Sequence, residues 1–153
     1  MKNLYVSTEK GIKVEKKMIH KLVSEISKKE EFQTYSLEIN FVTEKTIINL
    51  NAKYLNHNYP TDIITFNYSN NFRILEGEIY ICMKVALENS LKYEVNLDNE
   101  LLRLVIHGIL HMTGYDDKKA QDRKKMKIKE DELVSAFEIE FKNLIIGYDS
   151  ENS

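Results

Sequence analysis

Cysteine occurs once in the 153 residues, at Cys82, so no internal disulfide can form and a cysteine-rich structural zinc site is excluded. Cys82 itself reads as a small buried residue at the end of a strand. Proline occurs once, at Pro60, and glycine five times, so there is no flexible linker and no low-complexity segment. No apolar run approaches the length of a membrane span. The segment Met1 to Ser7 has too few apolar residues for a signal peptide. A reduced, cytoplasmic setting without a membrane partner is the expectation. Charge of one sign is also missing: 22 basic residues face 24 acidic ones, for a net charge of −2. A nucleic-acid enzyme is often basic overall, so the balance counts mildly against that class.

What is present is a chain of the size of one domain, long enough to bury a core without covalent staples. Residues 1–146 are expected to form that single domain, with 147–153 as a polar, frayed tail. Leu4 to Ser7 reads as a short strand. Val14, Met18, Leu22 and Ile26 lie on one helical stripe, giving a helix over about 13–29. Tyr35, Leu37, Ile39 and Phe41 alternate as a strand with one buried face. Thr43 can cap a helix that carries Ile47, Leu50, Asn51 and Tyr54. Asp62 to Tyr68 and Glu78 to Cys82 read as strands, with Ser69-Asn70-Asn71 as a turn. Met83 to Tyr93 follows as a helix with Val85, Ala86 and Leu91 inward. A very apolar helix over about 98–113 is capped by Asn96 or Asp98. A last helix over about 118–145 carries Leu133, Phe137, Phe141 and Leu144 on one stripe. The order βαβαββααα implies an α+β fold, a small mixed sheet of about four strands with helices packed against it.

The most informative segment lies at the end of that apolar helix: His107-Gly108-Ile109-Leu110-His111-Met112-Thr113-Gly114-Tyr115-Asp116-Asp117. Four residues is slightly more than one helical turn, so both imidazoles project from one face. Gly114 can take positive φ and stop the helix, letting the chain return Asp117 to the same point. Two imidazoles and a carboxylate make a three-ligand zinc site with an open fourth position, where water can be held and acidified. Nickel, iron or manganese suit the same donors less specifically. The spacing resembles the zinc helix of the extended zincin metalloproteases. In those enzymes the residue after the first histidine is the glutamate base. Here it is Gly108, which cannot accept a proton, so peptide hydrolysis of the usual kind lacks its base.

The same eleven residues resemble the signature of the YbeY family, H-G-x-L-H-x-x-G-Y-D-H, with ten positions compatible and Asp117 in place of the last histidine. Asp122, Met126 and Glu130 continue the family's acidic–Met–acidic pattern. Leu50-Asn51, Pro60 to Phe66, and Gly77 to Ile81 resemble its L-N, P-T-D-V-L-S-F and G-D-I-x-I blocks, so the likeness covers about residues 35–135. The resemblance implies a single-domain zinc endoribonuclease of ribosomal RNA maturation. It would act at the 16S rRNA 3′ end and in ribosome biogenesis and quality control, on precursor rRNA and with the small subunit as a candidate partner. It also implies His107, His111 and Asp117 as ligands of one zinc ion. One departure stands out: the family often has an arginine after the tyrosine of its L-N-x-x-Y-R run, and here Tyr54 is followed by Leu55. Lys53, His57 and Arg103 are the candidates to supply that cation.

The general base is not legible. Zinc-bound water is one catalytic group, and Asp62, His57 and Arg103 are the side-chain candidates. Asp62 and Asp116 are candidates to orient a ligand imidazole. Tyr115 is a candidate for substrate contact, though packing beside the turn is the simpler role; Glu78 could reach the cleft or be an exposed strand residue. Lys118, Lys119, Arg123 and Lys124 follow directly after the third ligand and are candidates for phosphate binding. Two other classes compete with the nuclease: a metallopeptidase with an unusual base, and a non-catalytic RNA-binding ribosome-assembly factor that uses the metal structurally. Structural zinc is normally closed by four protein ligands, which disfavours the last.

Overall fold

The computed structural model describes residues 3–150. Its elements are β1 (Leu4–Thr8), β2 (Ile12–Val14), α1 (Lys16–Glu30), β3 (Gln33–Val42), α2 (Glu44–Tyr54), β4 (Ile63–Asn67), β5 (Ile74–Cys82), α3 (Met83–Lys92), α4 (Leu97–Met112), α5 (Ala120–Phe137) and β6 (Ile145–Tyr148). The architecture is α+β, as expected. Four strands form a mixed sheet in the order β1-β3-β5-β4. β1 and β5 run parallel to β3, and β4 closes the edge antiparallel to β5.

Alternation along β3 and β5 gives the sheet two apolar faces. Leu37, Ile39, Leu75, Ile79 and Ile81 join the main core with Ile19, Leu22 and Ile26 of α1 and the apolar side of α4. On the other face Val42, Ile64 and Cys82 pack under Ile47 of α2. Cys82 is fully buried. Tyr35 was expected on the buried side of its strand but is 66% exposed, because a bulge between Thr34 and Ser36 shifts the alternation. Leu91 is likewise exposed, at 72%, whereas Met83, Ala86 and Ser90 form the inner side of α3. Both helix caps read from sequence are made: Thr43 accepts from the Thr46 amide at 3.4 Å and Asn96 from the Asn99 amide at 2.7 Å.

Two short strands lie at the outer ends of the first and last expected helices. β2 and β6 pair antiparallel, Ile12 opposite Tyr148 and Lys13 opposite Gly147. Val14 therefore belongs to a strand and not to α1, and the paired chain runs two residues into the segment assigned to the tail. The last helix ends at Phe137 rather than near 145, although no Gly or Pro intervenes. A contact from elsewhere in the chain fixes the continuation: Asp98 Oδ1 accepts from the Leu144 and Ile145 amides at 2.8 and 2.9 Å. The apolar stripe still points inward, with Leu133, Phe141 and Leu144 fully buried. Among the described residues no helix is long and apolar enough to cross a membrane.

Candidate metal centre and cleft

Helix α4 is the helix expected to carry the ligands, and ten of its sixteen residues are buried. From Glu100 to Met112 only Arg103, His107 and His111 escape full burial. They are spaced i, i+4, i+8, so they form one polar stripe on a helix otherwise enclosed by core. A helix clamped in this way holds its side chains rigidly. Gly114, with φ of 105°, ends it. The returning chain then brings Asp117 over the two imidazoles.

The three expected ligands converge. His107 Nε2 and His111 Nε2 are 3.1 Å apart, and Asp117 Oδ2 lies 3.3 Å from His111 Nε2 and 3.8 Å from His107 Nε2. A tetrahedral ion with bonds of about 2.0–2.1 Å sets its ligand atoms about 3.3 Å apart. The donor set therefore fits a metal. Hydrogen bonding supports the same conclusion. His107 Nδ1 is 2.8 Å from Glu130 Oε1, and the His111 ring is hydrogen-bonded to the main chain at Tyr115. With its Nδ1–H donating to a carboxylate, His107 presents a lone pair at Nε2. Two imidazole nitrogens and a carboxylate oxygen then face one another, an arrangement that calls for a cation. Burial, and then the neighbouring His107, lower the His111 pKa, which keeps that ring neutral and able to ligate.

Glu130 is the partner of His107, the role for which Asp62 and Asp116 were candidates. Burial alone would raise its pKa, but hydrogen bonds from His107 and Arg103 hold it below the usual carboxylate range. Arg103 bonds Glu130 at 2.5 Å and Asp131 at 2.8 Å. Asp116 instead accepts from the Lys118 amide within the turn, at 3.1 Å. The signal for Glu130 lay in the Met126, Glu130, Leu133 spacing: an acid on the buried stripe of a helix needs a partner.

Gly108, the residue that replaces the protease base, faces the sheet. A Cβ there would lie 3.0 Å from the Cδ1 atoms of both Ile63 and Ile79. A glutamate at this position would point into the core, so the geometry has no place for a base next to the first histidine.

A cleft of about 730 Å³ opens beside His107 and Asp117. Of the candidate residues, Asp62, Arg103 and Arg123 line it. His57 does not; its amide bonds the Asn51 carbonyl at 3.1 Å and its ring stacks on Tyr59. Lys118, Lys119 and Lys124 are exposed and do not line the cleft. Tyr115 packs partly buried against the core. Glu78 accepts the Tyr68 and Tyr80 hydroxyls on the sheet and is not part of the cleft. Leu55 caps the end of α2 and is 43% exposed.

Residues 4–138 match the family model Endoribonuclease YbeY. The chain belongs to the YbeY endoribonuclease family. Membership makes it a hydrolytic nuclease by family, in agreement with the signature at His107–Asp117. An endoribonuclease YbeY of Chlorobium phaeobacteroides is 40% identical over 74% of this chain and 79% of its own length. A second, from another strain of that species, is 36% identical over 86% of this chain and 94% of the relative. A solution structure from Thermotoga maritima superposes with a TM-score of 0.64 at 28% identity, covering 91% of each chain.

Two residues of this YbeY cleft carried no sequence signal of their role. Glu100 is only 5% exposed, and Asn89 of α3 donates to Asp62 Oδ2 at 3.2 Å and is also hydrogen-bonded to Glu100. The Asp62 pKa is raised by burial, against the opposing His107. Burial, and then Asp62, raise that of Glu100, with Asn89 and Arg103 opposing. A carboxyl whose folded pKa is raised costs stability once ionised. The cost is absent below the unfolded pKa and complete above the folded one. Glu100→Gln is therefore expected to raise Tm near neutral pH by about 2–4 °C, the shift ~1 kcal/mol gives a domain of this size. The gain should vanish in acid. Thermal melts at both pH values check this, and a loss of Tm at neutral pH would mean that the ionised carboxylate is stabilising.

Proposed function

We propose that this protein is a zinc-dependent endoribonuclease of the cytoplasm that matures ribosomal RNA precursors at the 16S 3′ end, with the small ribosomal subunit as partner. The observation that carries the reading is the convergence of His107, His111 and Asp117 beside an open cleft. Nitrogen and carboxylate donors suit zinc, and three protein ligands leave a position free for water or substrate. When bound, the ion supplies Lewis acidity at a phosphoryl oxygen and activation of water. Glu130 holds the His107 ring in the ligating tautomer. Arg103 and Lys127 are engaged by Glu130 and Asp131. Among the described residues Arg123 bonds only main-chain carbonyls, those of Asp117 and Lys118, at 3.4 and 2.9 Å. Its charge is unneutralised at the cleft beside the third ligand, so Arg123 is the residue to meet the scissile phosphate in place of the arginine that Leu55 replaces. Lys118, Lys119 and Lys124 extend the positive surface for flanking phosphates. The peptidase reading is weaker, because Gly108 is packed against Ile63 and Ile79 and the position after the first histidine supplies no glutamate base.

The test is cleavage of a structured precursor-rRNA fragment by zinc-loaded wild type and by folded His111→Ala. Cleavage is expected to fall to background in the variant. Equal cleavage by both would remove this site from the chemistry, and casein hydrolysis without RNA cleavage would favour the peptidase.

A further inference from the structure

Beside His107 and Asp117 the cleft is lined by residues of a different character. Tyr93, Val95, Leu104 and Met126 give it apolar walls. Polar groups meet at its floor: Asp62 and Glu100, joined through the Asn89 amide. None of the three is needed to hold a metal at His107, His111 and Asp117. A largely apolar pocket with a few convergent polar groups has the make-up of a small-molecule or base site.

The hydrogen-bond inventory at the floor is one-sided. The Asn89 NH2 group is used between the two carboxyls. Ionised carboxylates offer only acceptors, and the Asn89 carbonyl offers another. Glu100 is almost fully enclosed, and neither Asp62 nor Glu100 forms an ion pair among the described residues. A ligand that brings two adjacent N–H donors on a flat apolar ring would satisfy floor and walls together. Among the nucleobases, guanine alone presents N1–H beside N2–H2 on its pairing edge. Single-stranded RNA is commonly read by splaying bases out, stacking them on aromatic side chains and bonding their Watson–Crick edges.

We propose that this part of the cleft is a guanine subsite, in which Glu100 and Asp62 accept from N1–H and N2–H2 while Tyr93 and Met126 cover the ring. The proposal rests on the RNA reading above, and it assigns the enzyme a preference for guanosine next to the cleaved phosphate. Burial raises the pKa of both carboxyls, although Asp62 already accepts from its own amide, the Ile63 amide and Asn89. Retaining an enclosed carboxyl that lowers stability fits a functional site.

The experiment is titration of the wild-type protein with 5′-GMP and 5′-IMP, followed by calorimetry or NMR. The two nucleotides differ only in the N2 amino group, so phosphate contacts cancel. GMP is expected to bind about 5- to 150-fold more tightly, the discrimination given by a bidentate base contact. The preference should collapse in Glu100→Gln and in Asp62→Asn. Equal affinity for the two nucleotides, or no GMP binding at millimolar concentration, would overturn the subsite. Stronger binding of arginine amide than of GMP would also overturn it and point to a peptide. Equal GMP and IMP binding by a protein that cleaves RNA defeats the subsite alone; a GMP preference in a protein that cleaves no RNA defeats the RNA-hydrolysis reading alone.

Discussion

Glu130→Ala is expected to weaken divalent-metal binding about 10- to 100-fold, the usual effect of losing a group that orients a ligand imidazole. It should also destabilise the fold by about 2–3 kcal/mol. The carboxylate is almost buried, with 7% of its side chain exposed, and it joins His107 Nδ1 to Arg103. Truncation leaves the imidazole free to rotate and removes two charge-assisted hydrogen bonds. Arg103 keeps Asp131 as a partner, so its charge is not stranded, and the cost stays below the 3–5 kcal/mol of a fully orphaned ion. Glu130→Gln keeps the volume and one acceptor and should fall between the two. The pH dependence has a definite sign. Because the folded pKa of Glu130 is depressed, its contribution is present above the unfolded value and lost as pH falls through the folded one. Competition with a zinc-sensitive chelator measures the affinity, and denaturant melts measure the stability. Unchanged zinc affinity in Glu130→Ala would show that α4 packing alone fixes His107.

Gly77→Ala should be the most damaging change in the sheet. A Cβ at this position would lie 2.1 Å from the Phe66 carbonyl oxygen and 2.5 Å from Met112 Cε. The side chain of Met112 can move, but the carbonyl cannot without opening the β4–β5 ladder, in which Gly77 stands opposite Asn67. We expect a loss of about 3 kcal/mol or more, hence a Tm lower by roughly 6–12 °C. The damage should spread to the cleft, because β4 follows Asp62 and Met112 follows His111. Hydrogen exchange would show protection lost first along β4. A variant with wild-type Tm would mean that β4 shifts to accommodate the methyl group without cost.

Sequence reading reached furthest where the physics is local. The i, i+4 histidines, the positive-φ glycine and the third ligand three residues beyond it are all set within one helix end and its turn, so His107, His111 and Asp117 were legible as a group. Helix caps at Thr43 and Asn96 are equally local. Strand β3 was legible from alternation and β4 from its β-branched and aromatic residues, whereas β2 and β6, three and four residues long, are too short to show any pattern and exist because they pair with each other across the length of the chain.

The sequence by itself determined the fold class, the helix that carries His107 and His111, its stop and the identity of the three converging donors, because each depends on periodicity or on contacts within about one turn. Only the tertiary structure decided the rest. It placed Glu130 on His107 from a different helix, and closed the last helix with Asp98 from the start of α4. It turned position 108 toward Ile63 and Ile79, so that a side chain there would enter the core and not the cleft. It neutralised Arg103 while leaving Arg123, among the described residues, without a carboxylate partner at the cleft, and it joined Asp62 from the loop before β4 with Asn89 of α3 and Glu100 of α4. These outcomes depend on which surfaces meet when the core closes, and a one-dimensional pattern carries no record of that distance.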